Sequence, residues 1–408
     1  MIVGIEAINA YVGRAYIDVR ELFEARELDL GRIDNLMMLK KTIGCPWEDA
    51  VSFGVNAAKP LIDNLSDNDK SKIEMVITAS ESGVDFGKSL STYIHDHLGL
   101  GRNCRLFEIK QACYGGTAAL QMAVNHIAAN LSPGAKVLVI ATDAARATAR
   151  HSYAEPSQAV ASVAMLISDK AQVMAVDQGA FGLYSYEVMD TCRPTAELET
   201  GYADLSLLSY LDCLTGAFSD YTSRVENVDL MSSFDYLVFH APFGGMVKGA
   251  HRKLLREVCQ ASAEDIESDF VRRVAPSLKN CSEIGNAYSA SAYLGLISTI
   301  VHSQISNPQR VGVFSYGSGC SSEFFSGVLN PQAEKAIGAP QQQLAERAKL
   351  SISEYDNMVD ESEEWKFGLK DKKRELGQFE SFYQQQFEGR GLLILDEIKD
   401  FHRKYLWS

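Results

Sequence analysis

A chain of 408 residues, 46% of them hydrophobic, is long enough to close a large core as one unit or as two fused α/β halves. Its formal net charge of −14 argues against nucleic acid as the main partner, since phosphate binding needs a clustered excess of Lys and Arg, and leaves room only for local basic patches. No apolar run reaches membrane-spanning length, and Met1-Ile2-Val3-Gly4-Ile5-Glu6 reads as a first strand and not as a signal peptide, so a cytoplasmic protein without a membrane partner is expected.

After that first strand, Trp47-Glu48-Asp49 leads into a helical pattern running to about Leu65. Ile73 to Thr78 is β-rich and is followed at once by Ala79-Ser80-Glu81-Ser82-Gly83. Residues just past a strand's C-terminal end face the ligand crevice of an α/β sheet, which places Glu81 as a site residue; the plain alternative is a solvated loop carboxylate. Gly87 to Leu98 reads as helix and Arg105 to Ile109 as strand. Gln111-Ala112-Cys113-Tyr114-Gly115-Gly116-Thr117 then opens a small-residue helix running to Asn130. A tight turn here sets the Cys113 sulfur at a helix N-terminus, where unpaired N–H groups and the helix dipole lower a thiol's pKa. Otherwise Cys113 is a small buried hydrophobe. Lys136 to Thr142 is a near-continuous apolar strand, as expected in a sheet covered on both faces.

The second half follows the same plan. Phe234 to Phe239 is a strand ending at His240, with a Pro/Gly-rich loop ahead of it. Gly285-Asn286-Ala287-Tyr288 opens a second small-residue helix, and Arg310 to Tyr316 is a strand ending in Gly317-Ser318-Gly319. The alternation of strands and helices predicts a layered α/β fold, and the repeated layout an internal duplication. From Asn330 the composition shifts toward Gln, Glu and Lys, so residues 331 to 390 are read as surface helices and loops; Gly391 to Leu395 returns to strand character and rejoins the body. The eight cysteines form no Cys-x-x-Cys pair and have no His at metal-ligand spacing, so reduced thiols and no metal are expected.

Glu81, Cys113 and His240 thus stand at three strand ends. A carboxylate, a nucleophile and an imidazole so placed are what acyl transfer with proton abstraction next to a carbonyl requires. Gly317-Ser318-Gly319 lacks the Lys-Ser/Thr ending of a nucleotide loop and suits a turn whose backbone approaches an acyl group.

Ser80-Glu81-Ser82, Gln111 to Thr117, Phe239-His240-Ala241-Pro242-Phe243, Gly285 to Tyr288 and Phe314 to Gly319 together resemble the 3-hydroxy-3-methylglutaryl-CoA synthase family of the thiolase superfamily, over essentially the whole chain. The loop Gly244 to Arg252 is more similar to the branch that works in polyketide β-branching than to the branch of primary isoprenoid metabolism. The resemblance implies a thiolase fold, a duplicated five-layer αβαβα architecture, divided here as 1–168 and 169–408, and a homodimer. It implies that Cys113 takes an acetyl group from a thioester, that Glu81 removes a proton from its methyl, and that the enolate attacks the β-ketone of a second thioester polarised by His240, before water frees the product.

For the oxyanion donors the expectation is the backbone N–H of Cys113 and of Ser318 beside Gly317, with Asn286 orienting His240 or the acyl oxygen; Asn286 serves equally as a helix cap. In the β-branching reading, donor and acceptor acyl carrier proteins deliver both substrates on phosphopantetheine, with no other cofactor. Carrier proteins are acidic, so Lys248, Arg252, Lys253 and Arg256, with Arg32, are the expected docking patch, or else ordinary solvated charges. Tyr316 and Ser157 are candidate substrate contacts. Tyr153 to Ser162 departs from the glycine-rich run that many family members carry there.

Overall fold

The computed structural model describes residues 1–144 and 149–408. Its frame is a nine-stranded sheet comprising β1 (Gly4–Tyr11), β2 (Ile73–Ala79), β3 (Arg105–Ile109), β4 (Lys136–Ala144), β5 (Val160–Ser168), β6 (Met174–Ser185), β7 (Tyr236–Phe239), β8 (Gln309–Gly317) and β9 (Ser321–Leu329), in the order β7-β8-β9-β6-β1-β5-β4-β2-β3. The order contains one pattern twice. In the first half β1 pairs antiparallel with β5, β5 antiparallel with β4, and β4 parallel with β2. In the second half β6 pairs antiparallel with β9, β9 antiparallel with β8, and β8 parallel with β7. The halves join where Gly4 and Ile5 of β1 meet Ala175 and Met174 of β6.

Six helices complete the layers: α1 (Ala50–Asp63), α2 (Leu90–His97), α3 (Gly115–Ala128), α4 (Ala203–Arg224), α5 (Gly244–Cys259) and α6 (Ser291–His302). Strand β4 shows why its sequence is apolar throughout. Val137, Val139 and Ala141 enter the main core with α3, while Leu138 and Ile140 enter a second core with α1 and α2, so neither face meets water. Helices α3 and α6 lie between the halves at very short range: a Cβ on Gly116 would come 2.4 Å from the Ser289 carbonyl oxygen. With α1 and α2 on one outside and α4 and α5 on the other, this is the duplicated five-layer thiolase fold.

Helix α1 begins where the sequence places it, with Asp49 and Ser52 forming a reciprocal capping box. The segment read as surface structure differs from expectation. Tyr355, Met358, Phe379, Tyr383 and Phe387 bury themselves around Trp47 as a separate core, because a polar composition hides an apolar stripe at helical spacing. The tail rejoins the body as expected: Asn56 of α1 exchanges two hydrogen bonds with the backbone of Leu393, at 2.8 and 3.1 Å.

Candidate active site

Glu81 follows β2 by two residues, Cys113 follows β3 by four, and His240 directly follows β7, so each sits past the C-terminal end of a strand in a parallel pair. Cys113 Sγ lies 3.5 Å from Glu81 Oε1. The turn that holds the sulfur puts Ala112 at φ +45°, a left-handed conformation costing a non-glycine residue about 1 to 3 kcal/mol. His240 enters through β8: its N–H donates to the Phe314 carbonyl at 2.7 Å, and the end of β8 abuts the cysteine turn. A Cβ on Gly317 would lie 2.5 Å from the Gln111 carbonyl oxygen and 2.6 Å from the Tyr114 nitrogen, which is why glycine stands there. Ser318, the next residue, accepts a 3.4 Å bond from Gln111 Nε2 on its carbonyl.

The electrostatics correct one expectation. Cys113 is not an activated thiolate at rest. Burial, followed by the charges of Glu81 and Asp143, pushes its thiol well above the ordinary range. Cys113 lies two residues before the helix start at Gly115. A thiol in that state needs a base to take its proton before its sulfur can act as a nucleophile. The Glu81 carboxyl beside it is raised: burial, opposed by Arg193 and reinforced by Asp143, pushes it up to about 7. His240 is 2% exposed, and burial pushes it down to about 3, so its imidazole is neutral and offers a single N–H. Its Nδ1 has no hydrogen-bond partner, the one such histidine atom at the site among the described residues.

Four residues without a predicted role complete the arrangement. Asp143, at the end of β4, accepts from Glu81 N–H at 2.8 Å, Ser80 Oγ at 3.1 Å and Ser82 Oγ at 3.0 Å on one oxygen, and from the N–H and Oγ of Ser289 on the other. It ties the Glu81 loop of the first half to the start of α6 in the second. A hairpin, Thr191–Thr195 and Leu198–Gly201, brings in Arg193, whose Nε donates to Glu81 Oε2 at 3.0 Å and whose second nitrogen donates to Glu199 at 2.6 Å. Asp190 accepts from Gly319 N–H at 2.9 Å and from Tyr316 at 2.6 Å, fixing the turn after β8. Asp143 had a legible signal, a carboxylate at the end of an apolar parallel strand; Arg193, Glu199 and Asp190 had none. A cavity of about 120 Å³ borders Glu81 and Arg193 on the side of Lys41, Glu48 and Gln158.

The remaining expectations divide. Tyr316 is 3% exposed and spends its hydroxyl on Asp190, so it braces the turn and is not a substrate contact. Asn286 Oδ1 accepts from Tyr288 N–H and Ser291 Oγ, both at 2.9 Å, so its carbonyl serves as the cap. Ser157 donates its hydroxyl to Ala154 within its own turn, while its carbonyl accepts from Asn286 N–H. Lys248 pairs with Glu267 at 2.8 Å and Lys253 with Glu257 at 2.7 Å, whereas Arg252 and Arg256 are exposed. Arg32 stacks over Tyr153, 4.3 Å from the ring centre, on a segment that packs tightly against the first turn of α5. Among the described residues no group of three His, Cys, Asp or Glu side chains is arranged to hold a metal. Among the described residues no helix is long and apolar enough to cross a membrane.

A thiolase fold with a cysteine and a buried carboxylate at adjacent strand ends, and a buried neutral histidine on the neighbouring half, defines a condensing acyltransferase. Family models for the N-terminal and C-terminal parts of hydroxymethylglutaryl-coenzyme A synthase match residues 1–172 and 251–406. The polyketide biosynthesis 3-hydroxy-3-methylglutaryl-ACP synthase PksG of Bacillus subtilis is 49% identical over 99% of both chains. The hydroxymethylglutaryl-CoA synthase of Enterococcus faecalis is 33% identical over 89% of this chain and 92% of its own. The crystal structure of the curacin biosynthetic pathway HMG synthase superposes with a TM-score of 0.96 at 52% identity, covering all of both chains, and that enzyme has also been crystallised with acetyl donor-ACP. The chain belongs to the hydroxymethylglutaryl-coenzyme A synthase family, whose members form a carbon–carbon bond by acyl transfer.

Proposed function

We propose that the protein is the HMG synthase of a polyketide β-branching pathway, condensing an acetyl group from an acetyl-carrier protein with a β-ketoacyl-carrier protein. The observation that carries the reading is full-length similarity at 49 to 52% to two polyketide-pathway enzymes, against 33% to a synthase named for CoA. Both substrates then arrive on phosphopantetheine arms, and the exposed Arg252 and Arg256, with Lys248 and Arg32, supply positive charge for an acidic carrier. The enzyme acts as a homodimer in the cytoplasm. Residues 1–168 contribute Glu81 and Cys113, and residues 169–408 contribute His240 and the Gly317-Ser318-Gly319 turn.

The chemistry follows from the geometry. Cys113 loses its proton to Glu81 as sulfur attacks the acetyl thioester, and the pantetheine thiol leaves with a proton. Glu81, again ionised, takes a proton from the methyl of acetyl-Cys113. The enolate oxygen faces the backbone N–H groups of Cys113 and Ser318, each such donor worth roughly 3 to 4 kcal/mol. The enolate carbon bonds to the β-ketone carbon while the His240 N–H hydrogen-bonds the oxygen on which charge develops, and the proton taken up by Glu81 ends on that oxygen to give the tertiary alcohol. Water then cleaves the thioester to Cys113.

Intact-protein mass spectrometry tests the reading. Acetyl-carrier protein is expected to load Cys113 much faster than acetyl-CoA at equal concentration. Faster loading from acetyl-CoA would assign the chain to primary metabolism, and an adduct that does not depend on Cys113 would refute the nucleophile.

A further inference from the structure

The two oxygens of Glu81 have different neighbours. Oε1 faces Cys113 Sγ at 3.5 Å, and Oε2 accepts from Arg193 Nε at 3.0 Å. Arg193 is itself held on further sides. A second guanidinium nitrogen donates to Glu199 on the opposite strand of the same hairpin at 2.6 Å, and its central carbon sits 5.1 Å from the centre of the Tyr288 ring. Tyr288 has φ +50° and directs its hydroxyl toward Glu199 at 3.4 Å. Both partners are largely out of water, with side-chain exposures of 12% for Arg193 and 14% for Glu81, so the pair is only weakly screened.

We propose that Arg193 is the positioning residue of the general base: it pins Oε2 of Glu81 so that Oε1 alone is presented to the methyl of acetyl-Cys113. This rests on the reading of Glu81 as that base. An unrestrained glutamate rotates about three side-chain bonds, and only some rotamers bring an oxygen to the methyl; a planar donor held by Glu199 and Tyr288 selects one. The guanidinium has a second effect. Arg193 and Glu199 from the hairpin, Asp143 from β4, Cys113 from its turn and Tyr288 before α6 face Glu81, and the adjoining cavity carries Lys41 and Glu48. Arg193 is the cation in direct contact with the carboxylate, so it keeps Glu81 ionised against burial and two nearby carboxylates. The hairpin thus sets both the direction and the availability of the base.

The test isolates the proton-abstraction step. Full-length enzyme is acetylated by acetyl-carrier protein without acceptor, and deuterium entering the methyl of acetyl-Cys113 in D2O is followed by mass spectrometry across pH. Arg193→Met and Arg193→Gln are expected to form acetyl-Cys113, to exchange about 10- to 100-fold more slowly, and to need a pH higher by about one unit for half-maximal exchange. Arg193→Lys should recover most of the rate and return the midpoint toward wild type, while Glu199→Gln should cost less than tenfold. A purely structural role would lower the amount of active enzyme without moving the midpoint. Unchanged rate and midpoint in both neutral variants, or a midpoint moved to lower pH, overturns the proposal. Glu81→Gln separates the layers: if it still exchanges, the base assignment itself fails; if it is silent while the Arg193 variants behave as wild type, only the role of Arg193 fails.

Discussion

Replacing Asp143 by Asn probes the joint between the two halves and the tuning of the base in one experiment. Asp143 carries no exposed surface and accepts five hydrogen bonds, three on one oxygen and two on the other. Five donors and no donated bond describe an ionised carboxylate, even though burial pushes its pKa up. In Asp143→Asn one oxygen becomes an NH2 group that faces donors, stranding either the Ser289 pair or the Glu81, Ser80 and Ser82 set. Each buried donor left unpaired costs about 1 to 3 kcal/mol, so the loss is roughly 2 to 6 kcal/mol if the Ser289 pair is stranded and roughly 3 to 9 kcal/mol if the other three are, enough to lower Tm by several degrees. The surviving activity is the more informative quantity. The introduced amide carries no charge, so Glu81 loses a nearby negative group and its pKa falls; the base is then ionised at lower pH. If Glu81 is the base, the acid limb of kcat/KM is expected to shift to lower pH while the maximum rate drops. The assay is turnover of carrier-bound substrates between pH 5 and 9, at a temperature where the variant is folded by circular dichroism. An acid limb that stays in place or moves to higher pH would refute the electrostatic account of Glu81 and leave Asp143 as a purely structural tie.

Three further expectations follow from the same structure. Glu81 is held at about 7 in the native state against about 4.3 in an unfolded chain, so the native state binds the extra proton and stability falls as pH rises between those values; Glu81→Gln should be more stable than wild type at pH 8, by up to roughly 4 kcal/mol, and no more stable at pH 4. Calorimetry at the two pH values checks this, and a wild type at least as stable as the variant at pH 8 would contradict it. Gly317→Ala drives a methyl against the Gln111 and Tyr114 backbone and should cut turnover at least about 100-fold while Cys113 remains present and alkylatable, as a misplacement near 1 Å does. Charge reversal at Lys248 and Arg252 should raise KM for carrier-bound substrate more than for a pantetheine mimic; equal effects would remove these residues from docking.

How far the sequence reached depended on whether a residue's role was local. Strand and helix runs, the cysteine turn with its two glycines, Glu81 and His240 at strand ends, and the Gly317-Ser318-Gly319 turn were all legible, because alternation, apolar runs and turn residues report backbone geometry directly. The duplication was legible as a layout although the two small-residue helices share little sequence. Tertiary structure decided what depends on residues distant in the chain. Asn286 and Tyr316 carry the right chemistry for substrate contacts, but Ser291 claims the Asn286 carbonyl and Asp190 the Tyr316 hydroxyl. Arg193 sits in a stretch with no motif, and only folding brings its hairpin 112 residues along the chain to Glu81. The protonation states lay furthest from the sequence. A helix N-terminus near Cys113 argues for a thiolate, yet burial and the carboxylates of Glu81 and Asp143 hold the thiol protonated, because an electrostatic balance is a sum over neighbours in space and not over neighbours in sequence.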